Sequence, residues 1–278
     1  MMLKKFAMQK RLDGDNYMKS IKEYLNEGLI KRQAGMDMRS KIEAWLNEHD
    51  IKNYTINDDL TIDYHPEVLH GSKDRFYMIN LLKYDEPELP DYIQFGEVGG
   101  TFQVSYSQIS SLRGFPKKCL RLRLHRCPNI TSLKGCPDVV EDIEVSYCTS
   151  LTSLEGLPEK ITGSFTCQSC SSLKDLKGAP KVESSFSCED CYNLETLEDL
   201  KLGVIRGTFC CDGCIKIKNL IGSPTECRNY FCRNCKSLES LEGISKRIRG
   251  DFYSKGCSKR FTRASAKKWG ADVMIGRA

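Results

Sequence analysis

The sequence predicts a mainly β chain, a solenoid of about eight short turns of 21–23 residues, on three observations. The phrase ISSLRGFP at 109 returns as ITSLKGCP (130), LTSLEGLP (151), LKDLKGAP (173), LETLEDLK (194), IKNLIGSP (217) and LESLEGIS (238), at steps of 21, 21, 22, 21, 23 and 21 residues. A cysteine stands three residues before each later copy: Cys127, Cys148, Cys170, Cys191, Cys214 and Cys235, with Cys257 ahead of a degenerate last copy, RFTRAS. Ahead of the cysteines run alternating pairs, Leu122/Leu124, Ile143/Val145, Phe165/Cys167, Phe186/Cys188, Phe209/Cys211 and Tyr230/Cys232, closed by Phe252/Ser254. A period of two is strand spacing and sends both members of a pair to one side. So short a turn has little room for a helix, so its return side is expected to be extended or short 3₁₀, punctuated by Gly and Pro. No turn buries its apolar face alone; stacked neighbours bury it for one another.

The other elements follow from local pattern. A helix is expected over 16–33 and a second over 36–50, where Met38, Ile42, Trp45 and Leu46 share a face and Asp37 is placed to cap. NYTINDDLTIDY (53–64) alternates around Asn57-Asp58-Asp59 and reads as a hairpin. Val98-Gly-Gly-x-Phe102 recurs as Ile161-Thr-Gly-x-Phe165 and Ile248-Arg-Gly-x-Phe252, which starts the solenoid near residue 90. The last stretch, RFTRASAKKWGADVMIGRA, reads as a short cap helix with Phe261 and Trp269 inward. The expected divisions are a helical region at 1–50, a hairpin cap at 51–90, the solenoid at 91–260 and a C-terminal cap at 261–278.

Composition narrows the class. Hydrophobic residues are 40% of the 278, enough for a sizeable core. A net charge of +5 is too mild to argue for nucleic acid from totals. The start, MMLKKFAMQKRLDGD, has no apolar run of the signal-peptide kind, and no stretch approaches the length of a membrane span. Fifteen cysteines without a secretion signal point to free thiols in a reducing compartment, hence a cytoplasmic location. There is no GxxxxGK[ST], GxSxG or HExxH. None of His49, His65, His70 and His125 is tied by motif to a nucleophile, and His125 is expected to be exposed. Asp58 and Asp59 are explained by their turn. No catalytic residue, cofactor or metal is expected.

The repeat resembles the leucine-rich repeat, with its core L-x-x-L-x-L-x-x-N/C-x-L, in a short bacterial-type form. That resemblance implies a ladder: the second cysteine of each pair bonds backbone at the bend leaving the strand. The first copy, FQVSYSQISSLRG, is one residue shorter and puts Ser107 near the ladder. RSKIEAWLNEH, IKNYTINDDLTID, LPDYIQFGEVGG and the SLxGxP copies together resemble repeat proteins encoded by tailed bacteriophages and related prophages, over most of residues 38–250. The likeness implies a bacterial host cytoplasm as the place of action, and no reaction.

Cys-x-x-Cys pairs such as 167/170 and 188/191 raise the alternative of zinc. Leu124 and Val145 fill the first cysteine's column in other copies and cannot ligate, which favours a core column in which free cysteine acts as a small apolar residue. Cys210 is the thiol expected to point outward from a strand, with no histidine nearby in sequence.

The partner face follows from the register. In leucine-rich repeats the concave strand face usually meets the partner. The outward positions here are varied: Arg121, Arg123 and His125; Asp142 and Glu144; Thr166 and Gln168; Glu189; Asp212; Phe231 and Arg233; Tyr253 and Lys255. Phe231, Arg233 and Tyr253 form the best anchor cluster, since aromatics and Arg dominate interface energetics. Arg121, Arg123, His125 and Arg126 form a second, suited to carboxylate or phosphate. If the main sheet lay at LTSLEG instead, the face would hold Thr152, Ser153, Glu155 and their equivalents. From Lys246 onward ten basic residues stand against Asp251 and Asp272, a solvated cap or a site for an acidic or nucleic-acid partner. The function these features favour is a non-enzymatic scaffold binding a protein partner, a host protein such as a defence protein if phage-encoded, with nucleic acid and membrane not expected. The alternative is a zinc-containing nucleic-acid binder using the CxxC pairs and basic ends. A third reading gives the N-terminal region an activity of its own, with the repeats choosing the target.

Overall fold

A computed structural model of the chain describes residues 14–65 and 78–273; His70 and Arg277 lie outside them. Contacts divide the chain into two compact units, Met1–Asp50 and Ile51–Ala278.

Among the described residues of the first unit there is one helix, α1 (Gly14–Glu48), where the sequence predicts two. The segment has no proline, and a glycine in a helix interior costs only about 1 kcal/mol, so Gly35 does not end it. Asp37 therefore does not cap; it pairs with Lys41 one turn on at 3.4 Å. Ile42, Trp45 and Leu46 are buried, as their shared face predicts. His49 closes the helix by bonding the Trp45 carbonyl at 2.8 Å while stacking on its ring.

The second unit is a mainly β solenoid of about nine turns. The predicted hairpin forms from β1 (Tyr54–Ile56) and β2 (Ile62–Tyr64), paired antiparallel. Its turn is held by Asp59, whose carboxylate accepts from the Thr61 amide and hydroxyl. β2 then runs parallel to the start of β4 (Phe95–Ser105), and β3 (Met78–Leu82) runs parallel to its end. Ile79 faces Phe102 and Leu81 faces Val104 in register, so a turn beginning at Met78 precedes those the repeated phrase reveals. That is one turn more than predicted, because the alternating pair is present there and the SLxGxP phrase is not.

From β4 the main sheet continues through β5 (Lys118–His125) and β6 (Val139–Ser146). Just ahead of the next main strands, β7 (Lys160–Ile161) and β9 (Lys181–Val182) pair as a separate parallel sheet, while β8 (Phe165–Thr166) and β10 (Phe186–Ser187) extend the main sheet. β11 (Thr208–Cys210), β13 (Asn229–Phe231) and β15 (Phe252–Tyr253) complete it, all parallel. β12 (Glu226–Cys227) and β14 (Arg247–Ile248) form a side sheet. The main sheet is thus the alternating segment; LTSLEG is irregular, and its turns are joined by single bonds such as Thr152 N–H to the Thr131 carbonyl.

Stacking places like residues on like. Phe165, Phe186, Phe209, Tyr230 and Phe252 form one inner column, with neighbouring ring centres 5.1–6.1 Å apart. The Tyr230 hydroxyl, buried in that column, is satisfied by Ser223 at 2.6 Å. The Leu-x-x-Leu residues of the return side are buried opposite.

The C-terminal helix, α2 (Arg263–Lys268), is capped by Thr262 and Ser265 in a reciprocal box. Trp269 is 48% exposed, against the expectation that it points inward. The helix ends beside it, Gly270 turns the chain, and β16 (Asp272–Val273) joins β14; Val273 takes the buried place beside Ile248. Phe261 is half-buried.

Candidate functional site

The cysteines form an internal ladder. Each thiol at the second position of the repeat donates to a strand carbonyl of the preceding turn: Cys127 to Val104 at 3.6 Å, Cys148 to Leu124 at 3.8 Å and Cys170 to Val145 at 3.3 Å. Cys191 reaches Cys167 at 2.9 Å, Cys214 reaches Cys188 at 3.0 Å, Cys235 reaches Cys211 at 3.2 Å and Cys257 reaches Cys232 at 2.9 Å. Ser107 departs from the pattern, donating to the Tyr84 carbonyl at 2.6 Å and accepting from the Ile109 amide. Burial raises the Cys170 thiol to about 12, and Cys119 and Cys227 to about 12 and 11. Two ladder thiols run the other way: hydrogen bonding with the Cys148 thiol lowers Cys127, and the Cys232 and Cys235 thiols, with nearby Lys236, lower Cys257, which is half-exposed at the end. Among the described residues no group of three or more His, Cys, Asp or Glu side chains is placed to hold a metal ion.

The outward strip is on the main sheet, and stacking pairs its charges. Arg121 meets Asp142 at 2.9 Å and Arg123 meets Glu144 at 3.3 Å across neighbouring strands. These four line a shallow depression of about 320 Å³ with Ser164 and Thr166. Thr166, Gln168 and Glu189 follow, each half-buried. Burial, with Asp190 and Asp212 nearby, raises the Glu189 carboxyl above its ordinary value. Asp212 is on the expected face yet is 4% exposed, because Arg233 of the next turn covers it with bonds of 2.6–2.7 Å. Cys210, also expected to face solvent, is buried: Ser187 and Phe231 flank it in register. Burial raises its thiol well above the ordinary range.

The anchor cluster does assemble. Phe231 and Tyr253 face each other at 5.3 Å, and the Arg233 guanidinium lies over Phe231 at 5.5 Å. Tyr253 is 49% exposed and Lys255 is exposed beside it. The basic C-terminal end is partly neutralised from within: Arg247 and Arg249 both pair with Glu226, and Arg263 pairs with Asp251.

His125 is half-buried rather than exposed, its ring edge-on to Tyr106 and Tyr147 at 5.6 and 5.3 Å. Those tyrosines belong to a column of which the sequence singles out Arg126 alone. The residue just before each ladder position has a left-handed backbone: Tyr106, Arg126, Tyr147, Ser169, Asp190 and Asn234, with φ between 54 and 58°, and Gly213 and Gly256, at 69 and 86°. Their regular place one residue ahead of the cysteine was the available signal.

No helix among the described residues is long and apolar enough to cross a membrane. The chain matches no protein-family model, no curated protein and no solved structure. Its class is therefore defined by architecture: a mainly β repeat solenoid with a continuous polar and aromatic strip along its principal sheet.

Proposed function

We propose that this chain is a non-enzymatic scaffold of the leucine-rich-repeat type that binds a protein partner on its main-sheet face. One observation carries the reading: the half-exposed Phe231–Tyr253 pair, with Arg233 held over it by buried Asp212. Aromatics and Arg fixed on a rigid sheet have already lost the side-chain freedom that binding would otherwise cost. The repeat type is supported by the thiol ladder at the strand exits and the Leu-x-x-Leu return. The non-enzymatic reading is supported by the buried, raised thiols of Cys170 and Cys210 and by two of the three described histidines packing on aromatic rings, His49 on Trp45 and His125 between tyrosines. On the sequence resemblance alone, we propose that the partner is a protein of a bacterial host and that binding takes place in its cytoplasm.

The test is affinity capture from bacterial lysate, then reconstitution with the purified captured protein, using the intact chain and a Phe231→Ser/Tyr253→Ser variant. A partner bound by the first and lost by the second supports the proposal. Equal binding by both refutes it.

A further inference from the structure

The outward strip contains three arginines already matched with carboxylates, Arg121, Arg123 and Arg233. Arg126 differs. It has no acidic partner among the described residues, and its guanidinium lies between two rings, 5.5 Å from the centre of Tyr106 and 4.8 Å from that of Tyr147. Tyr106 is 53% exposed and Arg126 is exposed, so the stack is open to solvent. It is also held from behind. The amide of each member donates to the next turn: Tyr106 to His125, Arg126 to Ser146 and Tyr147 to Gln168, at 2.8–2.9 Å. A cation between two aromatic faces is restrained in rotation and keeps its charge.

We propose that Tyr106, Arg126 and Tyr147 form a carboxylate-reading site for an acidic side chain of a protein partner, which rests on the protein-binding function proposed above. With a ring on either side of the guanidinium, the open approach for a ligand is its solvent-facing N–H groups, which lie in one plane. A carboxylate matches those groups with two parallel bonds.

The surroundings favour a peptide over a nucleic acid. Along the same column, three turns or about 14 Å beyond Arg126 at strand spacing, stands Asp190, beside Glu189. Glu144 lies on the strip alongside, already matched with Arg123. A polyanion following the column would run into these carboxylates. A single Asp or Glu in a segment of otherwise neutral or basic residues would not, and a basic residue further along would meet Asp190 favourably.

The test is selection of displayed random dodecapeptides on the full chain, then affinity of the enriched peptides for wild type, Arg126→Gln, Arg126→Lys, Arg121→Gln and Phe231→Ser/Tyr253→Ser. The site predicts enrichment in Asp and Glu. It predicts about tenfold or greater weakening in Arg126→Gln, from loss of a charge-assisted pair, with partial retention in Arg126→Lys. Arg121→Gln should leave binding within about twofold, since Arg121 is already paired. Unchanged urea midpoints keep folding out of the comparison. Peptides without acidic enrichment, or lost with Phe231 and Tyr253 but not with Arg126, overturn this site and leave the protein-binding function standing. No enrichment at all overturns both. Tighter, Arg126-dependent binding of an oligothymidylate than of any selected peptide overturns the choice of a peptide partner.

Discussion

Replacing Cys191 tests what the cysteines do. Its thiol is fully buried and donates to the Cys167 carbonyl at 2.9 Å. Cys191→Ala removes one buried heavy atom, about 1 kcal/mol, and takes the donor from a buried carbonyl, about 1–3 kcal/mol. The expected loss is therefore about 2–4 kcal/mol. Serine keeps a donor on a bond a few tenths of an ångström shorter, so its oxygen remains near hydrogen-bond range. Cys191→Ser should cost about 1 kcal/mol, a gap of about 1–3 kcal/mol from alanine. At Cys148 the sulfur is 3.8 Å from its acceptor, beyond a serine's reach, and there serine and alanine should converge. The assay is urea unfolding of the four variants with m held constant, together with zinc per chain by elemental analysis. Serine and alanine equally damaging at position 191, or stoichiometric zinc lost with either, would refute the ladder and restore the metal alternative.

Gly222 has φ +99°, and a Cβ there would be 1.8 Å from the Leu197 carbonyl oxygen. Gly222→Ala should cost about 2–6 kcal/mol, strain and overpacking together. Gly203, at φ +66° with nothing within 4 Å, should cost only about 1–2 kcal/mol on the same change, and thermal unfolding of the pair measures the difference. The Glu189 carboxyl is raised by burial and by Asp190 and Asp212, so the fold holds its proton more tightly than the unfolded chain does. Its contribution then falls as pH rises through the carboxylate range. Glu189→Gln should be more stable than wild type at neutral pH, with the advantage vanishing on acidification; a pH series of urea midpoints checks this.

The inner columns were legible because they need only a period. Once copies recur every 21–23 residues, stacking puts Phe186 on Phe165 and Cys191 beside Cys170 whatever lies between them. The hairpin was legible for a similar reason, being decided within twelve residues. Other features turned on neighbours that local pattern does not name. The two expected helices merged because Gly35 is a weak signal without a proline. The turn beginning at Met78 shares only the alternating pair with the rest and not their phrase.

The order of residues alone determined the repeat, its inward columns and the face presented by the strands, since burial of an apolar face follows from spacing. Tertiary structure decided which outward residues remain available. Whether Asp212 is open or covered depends on Arg233 a full turn later, and whether Arg126 is matched or free depends on rings in the turns before and after it. Such pairings are set by rotamer and register across about 5 Å of strand spacing, a distance the chain itself spans only after some twenty residues.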